Sequence, residues 1–211
     1  RKWHKPGSPY RVDIFVEKGY FNARQAKQYF EKATQLGLQI TAHVEQLSHA
    51  GGTSQAIRHQ ALSVDHVVEA SDQDIKAVAN SETTAVLLPT ADFYLRMKYP
   101  KARDLIDAGA RVALATDFNP GSSPCQDLSL TGFLARNEMK MTLPEVLSAY
   151  TVGAAFALDL GQELGSLSPG KLADFVVLEG SPYDLFYSVG AHPTRFTYRE
   201  GRRVAQRKSA R

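Results

Sequence analysis

A single cysteine, Cys125, is too few for an internal disulfide. That scarcity points to a reducing setting. Long apolar runs are missing too, since none approaches the roughly 18 residues that a membrane-spanning helix needs. No charged-then-apolar leader opens the chain, so the expectation is a cytoplasmic protein without a membrane partner. Charge of one sign is scarce: Lys+Arg 25 against Asp+Glu 22 leaves only +3. Much of that excess sits at the ends, in Arg1, Lys2, Lys5, Arg202, Arg203, Arg207, Lys208 and Arg211. Without aromatic interleaving or a basic motif these ends read as solvated tails, and no nucleic-acid partner is expected. Apolar residues at 43% and charged ones at 22% exclude wholesale disorder. The first residue is Arg rather than Met, which implies a processed, excised or incomplete N-terminus.

What the chain has in quantity is alternation. Val12 to Val16 reads as a strand, and Asn22 caps a helix that runs to about Leu36 and stops at Gly37. Leu38 to Val44 is the next strand, followed by a Gly51-Gly52 turn and a short helix from about Thr53 to Gln60. Leu62 to Val68 is a strand, and Ser71 caps a helix from Asp72 to Asn80. Ala85 to Leu88 is a strand ending at Pro89, and one helix through Leu105 and Ile106 closes at Gly109. Arg111 to Thr116 is the last strand of the series. Five such β–α repeats predict parallel strands with crossover helices, an α/β fold. Helices over about Gln126 to Lys140 and Thr142 to Leu158 follow, then β runs at Ala173 to Leu178, Arg195 to Tyr198 and Arg203-Val204.

Three strands end in residues suited to metal chemistry. His43 closes one of them, on the face of Gln39 and Thr41 and opposite Leu38 and Ile40. His66 ends the run Ser63-Val64-Asp65, and Asp117 follows Thr116 on the face of Ala113 and Ala115. Singly, each has a plain structural reading as a hydrogen-bonded strand end or a turn former. Together they place imidazole and carboxylate donors where α/β barrels gather their active sites, a set that suits Zn²⁺ or Fe²⁺. The loop Asn119-Pro120-Gly121-Ser122-Ser123 adds backbone N–H groups, hydroxyls and an amide, and reads as an anion-binding nest just before a helix. His49, His59 and His192 are expected to be solvated, and Cys125 has no spaced partner.

These segments, Thr41 to Ser48 with Gly51-Gly52, Ala61 to His66, Val86 to Pro89 and Ala115 to Pro124, resemble the imidazolonepropionases, a branch of the metal-dependent amidohydrolases. The likeness continues through Thr151 to Ala155 and Gly165 to Asp174 and covers about Val12 to Val204. The string Asp117 to Pro124 is the narrow part of the match, whereas Gly170-Lys171-Leu172-Ala173-Asp174 is shared widely among amidohydrolases. The resemblance implies the C-terminal part of a (β/α)8 TIM-like barrel over residues 1–163. Residues 164–211 then form part of a small β-sandwich domain and a tail. It also implies hydrolysis of the small molecule 4-imidazolone-5-propanoate to N-formimidoyl-L-glutamate, in histidine degradation, with one divalent cation, Zn or Fe. His43 and Asp117 match metal ligands, Gln46 faces the imidazolone ring, and His66 polarises the substrate carbonyl or shuttles a proton. Asn119, Gly121 and Ser122 match positions that hold the substrate's polar groups. Since Gln46 cannot serve as a general base, the base is Asp117 or His66.

One family feature is missing: no His-x-His pair, which supplies the first two ligands, occurs anywhere in the chain. The resemblance therefore describes a C-terminal half whose partner is the N-terminal half of the same polypeptide, with a homodimer as the assembled form. Five parallel strands cannot close an eight-stranded barrel, and they leave open edges. The isolated chain is accordingly expected to be inactive and to bind metal weakly. Two other readings stay open: another cyclic amidohydrolase such as a heterocycle deaminase, and a non-catalytic, degenerate half-barrel.

Overall fold

The computed structural model describes residues 11–190 and 192–207. The basic positions Arg1, Lys2, Lys5, Lys208 and Arg211 lie outside them. The core of the molecule is a six-stranded parallel sheet. The first expected strand is broken in two, β1 (Arg11–Val12) and β2 (Phe15–Val16), and both pieces pair with β3 (Gln39–Val44). Then come β4 (Ser63–His66), β5 (Thr84–Leu87) and β6 (Val112–Leu114), so that the spatial order is β1-β3-β4-β5-β6. All pairs are parallel, and the register sets Phe15, His43, Asp65 and Val86 in one row across the sheet. Buried Val16, Val44, Val64 and Leu87 pack this sheet against the helices.

Local chemistry sets the helix boundaries. α1 (Ala23–Gln35) starts at a capping box in which the Asn22 side chain accepts from the Gln25 N–H and Gln25 reaches back to the Asn22 N–H. α2 spans Gly52–Arg58, and α3 (Asp72–Ala79) opens with a second capping box, Ser71 with Asp74. The single helix expected after β5 is two helices, α4 (Pro89–Leu95) and α5 (Ala102–Asp107). Arg96 ends α4 in the left-handed conformation, and Pro100 prevents the backbone before it from continuing as helix. α6 (Leu128–Asn137) begins at Asp127, whose carboxylate accepts from the Ser129 and Leu130 N–H groups. The last long helix is interrupted: α7 (Leu143–Ser148) passes through a π-helical turn, Ala149–Gly153, into α8 (Ala154–Ala157).

Beyond α8 the chain forms an antiparallel three-stranded sheet, β7 (Phe175–Leu178), β8 (Thr194–Arg199) and β9 (Arg202–Gln206). This small sheet leaves Val176 and Val204 more than half or about half exposed, and β9 is exposed along its length. A 3-10 turn, Pro182–Leu185, carries Phe186 back to the larger layer, where it stacks on Tyr150 and is only 5% exposed. No helix among the described residues is long and apolar enough to cross a membrane.

Candidate metal centre

Three strands, β3, β4 and, beyond β5, β6, end close together on the C-terminal rim of the parallel sheet, and left-handed backbone marks each end. Glu45 follows β3 at φ 48°, His66 closes β4 at φ 76°, and Asp117 follows β6 at φ 54°. Such conformations cost energy in non-glycine residues and persist where the surroundings over-determine them. For His66 the turn has a direct consequence. Strict alternation would send its ring to the face opposite Asp65, whereas the rings of His43 and His66 come to 5.4 Å centroid to centroid. One ligand atom each from His43, His66 and Asp117 lies within 4.8 Å of the others. The donor set, two imidazoles and a carboxylate, fits a divalent cation. Among the described residues the buried His66 Nδ1 has no hydrogen-bond partner.

The electrostatics of the three groups differ in sign. Burial works against a charged His43, but Asp13, Asp65 and Asp117 outweigh it and lift its pKa to about 9. His66 is driven down to about 3 by burial and by the neighbouring His43, so it is neutral at pH 7. Burial pushes Asp117 up, opposed by His43, Ser122 and Asn119. A protonated His43 must lose its proton before it can ligate, which ties cation uptake to pH.

The segment after β3 is held by two carboxylates. Buried Glu45 accepts from the Gly52 and Thr53 N–H groups at 2.7 and 2.8 Å and from the Thr53 hydroxyl, satisfying the first turn of α2. Glu17 accepts from the Leu47 N–H at 2.9 Å and from the Ser48 hydroxyl. Between these anchors lies Gln46, 8% exposed. Neither glutamate was singled out by sequence reasoning. The available signal is Gly51-Gly52 itself, because an N-terminal turn without a capping side chain needs an acceptor from elsewhere, here Glu45.

The loop after β6 differs from the expected nest. Its Gly121 and Ser122 N–H groups both donate to Asn119 Oδ1 at 2.8 Å, so they are already satisfied. The Asn119 amide donates to the Asp117 carbonyl and to Ser122 Oγ. Helix α6 begins only at Leu128, capped by its own Asp127, so the loop does not borrow that N-terminus. What the loop delivers is the Ser122 hydroxyl, 3.4 Å from Asp117 Oδ2. His49 is not simply solvated, as its Nε2 lies 2.8 Å from Asp74 Oδ2, and His59 Nδ1 lies 2.8 Å from the Gln55 carbonyl oxygen.

Asp92 is a buried acid that the sequence did not reveal. It sits in the first turn of α4, 1% exposed, and neither carboxylate oxygen has a hydrogen-bond partner among the described residues. Burial, helped by the charge of Asp117, raises its pKa to about 7. The folded state therefore binds this proton more tightly than the unfolded state. Below about pH 4 the group costs nothing; the cost accumulates between about pH 4 and 7 and is complete above that. Three units correspond to roughly 4 kcal/mol. Asp92→Asn is expected to gain on the wild type by about that much between pH 4 and pH 8. Urea unfolding at the two pH values measures it; a difference that does not change with pH rules out the ionisation cost.

The parallel sheet with its helices and the small antiparallel sheet agree with the fold of known proteins. The chain belongs to the amidohydrolase family, whose profile matches residues 18–204. Within it, the chain is similar to proteins named imidazolonepropionase. It is 52% identical to that of Bdellovibrio bacteriovorus over 92% of this chain and 46% of the relative. It is 42% identical to that of Bacillus velezensis over 94% of this chain and 48% of the relative. The chain thus spans about half the length of the curated relatives it matches. Among solved structures, a zinc-bound adenosine deaminase from Xanthomonas campestris superposes with a TM-score of 0.72 at 19% identity, over 92% of this chain and 50% of the other. An Arthrobacter aurescens atrazine chlorohydrolase mutant, complexed with zinc and atraton, gives 0.76 at 17% identity, over 97% of this chain and 53% of the other. At such identities the likeness is one of fold.

Proposed function

We propose that the protein to which this chain belongs hydrolyses 4-imidazolone-5-propanoate to N-formimidoyl-L-glutamate, a step of histidine degradation. The observation that carries this reading is the convergence of His43, His66 and Asp117 within 4.8 Å. The 52% identity to an imidazolonepropionase supports the choice of substrate. His43 and Asp117 would hold one divalent cation, zinc or iron. When bound, the cation supplies a Lewis acid that polarises oxygen and makes water a nucleophile at neutral pH. Asp117 accepts the proton of the attacking water at Oδ2, beside the Ser122 hydroxyl. Neutral His66 donates a hydrogen bond to the ring carbonyl, where negative charge develops. The water oxygen bonds to the carbonyl carbon, the ring C–N bond breaks, and the proton returns to the leaving nitrogen. Gln46 hydrogen-bonds the ring, and Asn119, Gly121 and Ser122 hold the substrate through its polar groups.

Turnover is assigned to the complete polypeptide, acting as a homodimer in the cytoplasm, with residues 1–163 as part of the barrel and 164–211 as part of the small sandwich and a tail. Incubating the full-length natural protein with 4-imidazolone-5-propanoate tests the reading. Formimidoylglutamate is expected as the substrate's absorbance decays. Ammonia release without formimidoylglutamate would mark a deaminase, and no product at all would mark a non-catalytic barrel; either result refutes it.

A further inference from the structure

Resting on that reading of the site, we propose that Asp13 is a positioning residue that holds the His43 ring so that Nε2 is presented to the cation. Asp13 stands between β1 and β2, the two pieces of the strand beside β3. Its carboxylate is used at both oxygens. Oδ1 accepts from the Thr41 hydroxyl at 3.1 Å, and Oδ2 lies 2.9 Å from His43 Nδ1. Thr41 and His43 are two residues apart on β3 and share a face, so one carboxylate bridges consecutive side chains of that face. From the other side, Asp65 Oδ2 stands 3.9 Å from the same nitrogen. Nδ1 is enclosed by charge from both neighbouring strands without forming a straight hydrogen bond.

An imidazole has two nitrogens, and engaging Nδ1 leaves only Nε2 for a ligand on the open side. A ring fixed in this way loses little rotational freedom on binding metal, and the adjacent carboxylate raises its basicity. Outer partners of this kind change metal affinity by about 10–100-fold when removed. The break in the first strand at Asp13-Ile14 has a purpose on this account, because the interruption frees the Asp13 side chain to turn toward His43.

The test uses the full-length natural protein, loaded with Zn²⁺ for affinity and with Co²⁺ for its visible spectrum. Asp13→Ala is expected to weaken Zn²⁺ about 10–100-fold in competition with a chelating dye, and to shift the Co²⁺ bands. Asp13→Asn keeps an oxygen against the ring and is expected to lose less. Thr41→Val, which frees the carboxylate but leaves it in place, is expected to shift the Co²⁺ bands in the same direction. Unchanged affinity and spectrum in Asp13→Ala, or an Asn loss as large as that of Ala, overturns the positioning role. Wild-type protein that takes up no Co²⁺ instead overturns the metal reading on which the role depends.

Discussion

Asp117→Asn in the full-length protein is expected to lower kcat by about 10²- to 10⁴-fold, the range over which a positioned acid–base group acts. The substitution is nearly isosteric, so packing around the β6 rim should survive. Asn retains an oxygen for the Ser122 hydroxyl, but it cannot take a proton from water, and it removes one of the charges that stabilise His43 as a cation. It also takes a carboxylate from the donor set, so Zn²⁺ affinity should fall with turnover. The two effects separate by titration. If saturating Zn²⁺ restores the rate, Asp117 served only as a ligand; if the rate stays low in fully loaded protein, the proton-accepting role holds. Near-normal turnover at ordinary metal concentrations would remove Asp117 from the chemistry altogether. Steady-state kinetics with metal analysis of the same samples decides among these outcomes.

The sequence announced the donors His43, His66 and Asp117 because each stands at the end of a short β-like run, where an α/β barrel gathers its active site. It announced the helix starts at Asn22 and Ser71 because capping depends on residues three apart. Other features depend on distances that no local pattern encodes. Asp13 meets His43 only through the pairing of Phe15 with His43 across parallel strands. In the sequence Asp92 is an ordinary first-turn acid, favourable at a helix start; only packing buries it with no donor among the described residues. The loop Asn119 to Ser123 has the composition of an anion-binding nest, yet Asn119 satisfies its Gly121 and Ser122 N–H groups, since an Asn side chain mimics a backbone turn. The division of α4 from α5 is legible in Pro100, which disfavours helical backbone in the residue before it.

The π-helical turn shows most clearly how tertiary contact overrides local preference. Gly153 ends it with an ordinary right-handed backbone, and helix propensity alone would favour Ala there by about 1 kcal/mol. The neighbouring backbone reverses that sign. A Cβ at Gly153 would run into the Val112 carbonyl oxygen and lie 3.0 Å from its carbon, so the helix rests directly on the main chain of β6. A carbonyl within a parallel ladder cannot rotate away as a side chain can. Gly153→Ala is therefore expected to destabilise the protein by about 3 kcal/mol or more, the upper range for overpacking. That corresponds to a fall in Tm of roughly 6–12 °C in a domain of this size. Relief of the clash would move either α8 or β6, and β6 leads three residues later to Asp117. Zn²⁺ affinity should consequently fall along with Tm, although Gly153 touches none of the donors. Calorimetry and metal competition on one sample measure both; an Ala variant that melts at or above the wild-type temperature disproves the close contact between helix and strand.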